Sequence, residues 1–241
     1  MFFYNRELFR VAKEDVRSMV LCCAVMFIYS ASYFFSLVFI NLSLAFIILN
    51  LHPSLVAVAS VFLYREKITP KLITVLTITF LGLAMTMNLF TRGIGALSVP
   101  GLILAFTATI SAAANCICLK KVSAKYHTFT INFYGMMTTV IGYSAMLPLF
   151  RLEPLGHQQL ITALVAAIPY ISGYIFYSAG VKYSKPSFAS IFSNTETVFI
   201  VLLTTLILGE AFSVSQGIGI VLIVGALIFL ETELPKRKKL Y

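Results

Sequence analysis

The sequence predicts an all-α fold: a polytopic membrane helix bundle of eight transmembrane helices. Three observations carry that expectation. Of 241 residues, 59% are hydrophobic and only 11% are charged, against about 25% charged in a typical soluble domain. Mean hydropathy is +0.93. The few charges are spaced so that long charge-free runs lie between them. Such a chain has too little polar surface to face water on all sides. That excludes a soluble enzyme, a nucleic-acid module and a disordered region.

A spanning helix needs about 20 mostly apolar residues. Ser18–Tyr64 holds no Lys, Arg, Asp or Glu, and its 47 residues suit two spans broken near Asn41–Ser43. Leu72–Thr91 reads as a third span. Gly93–Leu119, opened by Pro100-Gly101, reads as a fourth and Tyr126–Phe150 as a fifth. Pro154–Val181 is the sixth. Pro186–Gly209 is the seventh, with Glu196 its only charge, and Ala211–Leu230 is the eighth. The first run is longer than the roughly 7–15 residues of a signal-peptide core and has no A-x-A site, so no cleavage is expected.

The net charge of +9 is topological in this reading. Eight spans put both termini on one side. That side holds Arg6, Arg10, Lys13 and Arg17, then Arg65, Lys67 and Lys71, then Lys120, Lys121 and Lys125. It also holds Lys182, Lys185 and the run Lys236–Lys239, which leaves only Arg92 and Arg151 opposite. Basic residues mark the cytoplasmic face. The expectation is a multi-pass cell (inner) membrane protein in a lipid bilayer, with both termini cytoplasmic and no nucleic-acid partner. Cys22, Cys23, Cys116 and Cys118 all fall in apolar runs. They read as small hydrophobes; Cys116 and Cys118 point to different helix faces, so no metal site is expected.

The chain also repeats. A shift of 144 residues lays Tyr33 on Tyr177, Ser43 on Ser187, Asn50 on Asn194 and Glu66 on Glu210. The lone intramembrane His52 falls on the lone intramembrane Glu196. Three residues after each matched glutamate stands a hydroxyl, Thr69 or Ser213, placed to cap the next helix. The two copies run in opposite directions through the expected membrane. Inverted repeats of this kind are a transporter architecture, in which two halves rock about a central site. The halves are unequal: residues 1–91 hold three helices of a first repeat, 92–234 hold five of a second, and 235–241 form a basic cytoplasmic tail. By this count two helices of the first repeat are missing.

Three stretches carry a specific resemblance. They are SLAFIILNLHPSLVAVASVFLYREKITPKL in the first part, the segment 96–148 beginning ALSVPGLILAF, and PSFASIFSNTETVFIVLLTTLILGEAFSVSQGIGIVLIVGALIFLE. Together they resemble the EamA family of the drug/metabolite transporter superfamily. Order, spacing and both end-of-helix glutamates agree over nearly the whole chain. The resemblance implies ten helices in two inverted five-helix repeats. It also implies transport of a small molecule, usually efflux, by secondary active transport; no enzymatic activity and no cofactor are expected. Thr197 stands where the family often has proline after the acid.

Candidate substrate-pathway residues follow from polar groups inside spans, which are costly there. Asn50 and Asn194 occupy matched positions. Tyr170, Tyr174 and Tyr177 form a stripe on the sixth span, and Tyr33 matches Tyr177. Thr197 falls on the polar face of the seventh span with Ser187, Ser190, Asn194 and Thr204. For such hydroxyls, close helix packing competes with a transport role. Glu196 reads as a proton carrier, because burial favours a neutral carboxyl, or as a structural acid bonded to its neighbours. His52 precedes Pro53 and either titrates or bonds carbonyls freed by the proline. Gly217, Gly219 and Gly225 suit close packing, within the chain or in a homodimer. No Ser/His, Asp/Asp or HExxH arrangement supports a membrane enzyme. The competing reading is an accessory subunit or a non-functional fragment of a transporter.

Overall fold

The computed structural model describes residues 9–65, 69–88, 98–149, 156–209 and 212–231. Every described regular element is helical. A 3-10 turn, Lys13–Asp15, leads into α1 (Val16–Ser36), followed by α2 (Leu42–Leu49), α3 (His52–Tyr64) and α4 (Pro70–Thr86). Then come α5 (Val99–Ser123), α6 (Thr128–Met146) and α7 (His157–Tyr183). The last are α8 (Pro186–Phe192), α9 (Thr195–Leu208) and α10 (Val214–Glu231). With α2–α3 and α8–α9 each counted as one broken helix, the described residues form a bundle of eight. The positions Glu66, Arg92, Arg151, Glu210 and Lys236–Lys239 lie outside the described residues.

The expectation of eight transmembrane helices is corrected. Among the described residues, five helices are long and apolar enough to cross a membrane: Lys13–Ser36, Leu42–Tyr64, Val99–Ser123, His157–Tyr183 and Pro186–Leu203. Helix α4 has 17 residues, about 26 Å at 1.5 Å per residue and short of the roughly 30 Å hydrocarbon layer. The apolar part of α10, Val214–Leu230, is equally short. Helix α6 has 19 residues but carries Thr128, Thr130, Asn132, Tyr134, Thr138, Thr139, Tyr143 and Ser144.

Local chemistry sets the helix ends. Asn41 caps α2 by accepting the Leu44 N–H at 2.8 Å. Thr69 caps α4 by accepting the Leu72 N–H at 3.2 Å, with Pro70 opening the helix. Ser213 Oγ accepts the Gln216 N–H at 3.2 Å, while the Ser213 N–H donates to Gln216 Oε1 at 2.9 Å. That is the reciprocal capping box, and both hydroxyl caps stand where the sequence placed them. Helix α3 stops at Arg65 (φ 53°) and α9 at Gly209 (φ 67°), both left-handed and 144 residues apart.

Helix α1 packs along α5 and α6, and α4 packs along α10. Met19, Cys22 and Cys23 meet Val56, Ala113, Cys116 and Leu119 in one buried cluster. A second joins Ala57 and Val75 to Ile191, Val198, Ile223 and Leu230. Helices α4 and α10 touch through bare backbone. A Cβ on Gly82 would stand 2.8 Å from the Gly219 carbonyl oxygen, and one on Gly219 only 2.5 Å from that of Gly82. The outer surface is apolar: Phe62 is 80% and Val221 70% exposed, and α7 exposes Leu160, Ile161, Leu164, Val165 and Ile168. An apolar surface this extensive suits lipid rather than water.

Polar contacts gather the helix ends. Lys125 Nζ lies 2.7 Å from Asp15 Oδ1, and the Tyr126 hydroxyl donates to Asp15 Oδ2 at 3.0 Å. The hydrogen bond to Asp15 holds the Lys125 ammonium above its ordinary range. Lys182 Nζ donates to the Tyr126 carbonyl at 3.3 Å. Lys120 Nζ donates to the carbonyls of Lys182 at 2.9 Å and Ser184 at 2.7 Å. The Tyr64 hydroxyl donates to the Ile117 carbonyl at 3.1 Å. The segment before α1, the end of α3, the α5–α6 turn and the α7–α8 turn therefore meet at one end of the bundle.

Candidate functional site

A cavity of about 890 Å³ lies between α1, the α2–α3 break, α5, α7 and the α8–α9 break. Both broken helices bring their discontinuity to it. In the first, α2 ends at Leu49 and α3 begins at His52; in the second, α8 ends at Phe192 and α9 begins at Thr195. The interruptions lie at Asn50 and Asn194, which the sequence repeat pairs.

The first break has an evident cause. Pro53 occupies the first turn of α3, where its missing N–H is no loss, and it cannot continue the preceding helix. Three carbonyls at the end of α2 have side-chain partners. Asn50 Nδ2 donates to the Phe46 carbonyl at 2.8 Å. The Thr109 hydroxyl of α5 donates to the Ile48 carbonyl at 2.9 Å. His52 Nδ1 lies 3.0 Å from the Leu49 carbonyl.

The second break has no proline. Its carbonyls are taken by hydroxyls of the same segment: Ser190 to the Ser187 carbonyl (2.9 Å), Ser193 to that of Ser190 (2.7 Å) and Thr195 to that of Phe192 (2.8 Å). Asn194 is 4% exposed and Thr197 fully buried, yet Asn194 Oδ1 and Thr197 Oγ1 have no hydrogen-bond partner. Glu196 stands in the first turn of α9, where the helix dipole favours negative charge. It is exposed to the cavity. Its electrostatic neighbours are the tyrosines Tyr29, Tyr33 and Tyr170.

Of the residues singled out from the sequence, Asn50, His52, Tyr170, Tyr174, Tyr177 and Glu196 line the cavity. Tyr33, Asn194 and Thr197 do not. Tyr33 is half-buried and packs against the cluster of Ile40, Leu44 and Ile48. Asn194 and Glu196 face different surroundings, as a spacing of two residues demands. Tyr29 and Asn115 also line the cavity, and sequence reasoning missed both. Asn115 Nδ2 donates to the Tyr174 hydroxyl at 2.9 Å. The available signal was a lone amide in the run Gly93–Leu119, but Asn115 has no counterpart 144 residues earlier in the chain. Among the described residues no group of His, Cys, Asp or Glu is placed to hold a metal ion.

The EamA-like transporter family matches residues 1–88 and 99–232. Over 140 residues the chain is 29% identical to "Uncharacterized inner membrane transporter YhbE" of Escherichia coli (strain K12), covering 56% of this chain and 44% of that protein. The protein of the same name from Shigella flexneri matches to the same extent. The chain therefore spans under half the length of the curated relatives it matches. A solved crystal structure superposes with a TM-score of 0.81 at 19% identity, covering 93% of this chain and 78% of that one. At that identity the likeness speaks for the fold.

Proposed function

This chain belongs to the EamA-like transporter family, and on that premise we propose that it moves a small metabolite or drug-like molecule out of the cell by alternating access. Membrane transport is the general function of the family, so the chain is a transporter and not an enzyme. It is a multi-pass membrane protein. The relatives' inner-membrane name favours the same membrane here.

One observation carries the proposal: a single cavity, large enough for a drug-sized ligand, is bounded by a broken helix from each part of the chain. Discontinuous helices at the interface of two repeats are where transporters bind substrate. Residues 1–91 and 92–234 are the two unequal units of this reading, with 235–241 a basic tail. Breaks and left-handed stops that recur 144 residues apart support the repeat. The substrate path runs along Asn50, His52, Tyr170, Tyr174, Tyr177 and Glu196, with Tyr33, Asn194 and Thr197 supporting its walls. Glu196 carries the coupling proton, since it is the acid that faces the cavity.

The test is counterflow of labelled metabolites into proteoliposomes holding the purified chain. Exchange above protein-free liposomes is expected. A well-folded preparation that exchanges nothing from a broad panel overturns the reading. Both termini are assigned to the cytoplasm, supported by the basic segments at 120–125 and 182–185 that gather beside Asp15. A cytoplasm-reading reporter is expected to be active after Lys239 and silent near Gly95; the reverse pattern sinks the orientation.

A further inference from the structure

Resting on the transport reading above, we propose that the cavity takes an organic cation with a planar aromatic body. The argument begins with the charge of the lining. Among the described residues that form it, Glu196 is the one formally charged side chain, and neither Lys nor Arg contributes. The Glu196 side chain makes no hydrogen bond or ion pair with any described residue. Its electrostatic neighbours Tyr29, Tyr33 and Tyr170 are neutral rings. A carboxylate in a wall of low polarity is unfavourable unless a positive charge matches it. The described residues of the lining supply none, and a cationic guest would.

The second part of the argument is the shape and chemistry of the rest of the wall. Nine lining residues are Phe or Tyr, among them Tyr29, Phe46, Tyr174 and Phe199. Ring faces attract cations, by about 0.5–2 kcal/mol each according to how dry the site is, and they stack on planar apolar bodies. The outer part of the same wall already shows this pairing: the Lys185 ammonium lies 5.4 Å from the centre of the Phe188 ring. Asn50, His52 and Asn115 add three neutral polar groups that orient a ligand without repelling it. An anionic guest would meet one carboxylate and no cation in the lining. A neutral guest would leave an ionised Glu196 unmatched.

The test is equilibrium binding by calorimetry to the full chain in lipid nanodiscs. The probes are benzyltriethylammonium, benzyl alcohol and benzenesulfonate, which share one ring and differ in charge. The cation is expected to bind about tenfold or more tightly than either of the others, the factor that one good charge–ring contact set supplies. Glu196→Gln is expected to erase that preference and Glu196→Asp to keep most of it. Equal or tighter binding of benzenesulfonate or benzyl alcohol overturns the proposal, as does no binding of the cation or undiminished cation binding by a folded Glu196→Gln. The three-probe series on the unaltered chain decides the matter even if a variant fails to fold. Counterflow separates the two readings. Exchange of anions but not cations removes the cation class and leaves a transporter. Glu196-dependent cation binding without any exchange leaves the site and removes the transporter.

Discussion

The two helix breaks occupy matched positions and are built by different means. At Asn50, proline enforces the interruption, and carbonyls at the end of α2 are bonded by the side chains of Asn50, His52 and, from a different helix, Thr109. At Asn194 the equivalents of Phe46, Leu49, Leu51 and Pro53 are Ser190, Ser193, Thr195 and Thr197. There the hydroxyls serve carbonyls of their own segment, while Asn194 Oδ1 and Thr197 Oγ1 are left buried and unpartnered. An unsatisfied buried acceptor costs about 1–3 kcal/mol. The first break is therefore pinned to α5 and to its proline. The second rests on local hydroxyls and holds the acid that faces the cavity. One is braced by another helix; the other bonds within its own segment.

Several substitutions break or sharpen this contrast, and the largest effect falls on the second break. Glu196→Gln is expected to abolish proton-driven accumulation in proteoliposomes, and His52→Gln at the matched position to leave it within about threefold, because the His52 ring is engaged on the Leu49 carbonyl at 3.0 Å whereas the Glu196 carboxyl faces the cavity. Equal losses in pH-jump uptake would make the two breaks equivalent. At the first break, Asn50→Leu and Thr109→Val each remove one side-chain donor from a carbonyl at the end of α2. Each should cost about 1 kcal/mol, read as lower thermal stability in detergent, and together somewhat more than the sum if α2 then works loose. Unchanged melting in the double variant would show that the pinning is not there. The smallest effect is expected from Thr197→Pro. It gives up the Thr197 N–H bond to the Asn194 carbonyl at 3.2 Å but also removes an unpartnered buried hydroxyl. The net change should stay within about 1 kcal/mol, whereas proline in the middle of α9, at Val201, should cost about 3 kcal/mol or more. A Thr197→Pro chain that fails to fold would mean that α9 runs unbroken through this point.

The sequence made the breaks unequally visible. Pro53 announces the first. The second depends on hydroxyls that bond backward to their own carbonyls, and such serines and threonines look in a sequence like ordinary helix-packing residues. The helix count went wrong for a related reason. A charge-free run measures apolarity, while helix length is set by caps and stops. Leu72–Thr91 is 20 residues without charge, but α4 ends at Thr86, just before Asn88 turns left-handed with φ 52°. Tyr126–Phe150 loses its end to the 3-10 turn Leu147–Leu149, around Pro148. Cavity residues were legible where they repeat or form a stripe, as with Asn50 and the α7 tyrosines. Tyr33 stood out by the same logic, but packing carries it into the cluster around Ile48.

The contact of Gly82 with Gly219 has a mechanical consequence. Most helix pairs interlock through side chains that fill each other's gaps, and moving one past the other means lifting each knob from its hole. Here peptide faces peptide, close enough that neither helix admits a single extra carbon. Dispersion across so short a gap resists pulling the helices apart, while Ile223 and Leu222 seated on Gly82, the Thr86 methyl seated on Gly219 and the Ser215 hydroxyl donating to the Met85 carbonyl at 3.0 Å resist sliding. Joined this way, α4 and α10 act as one rigid strut.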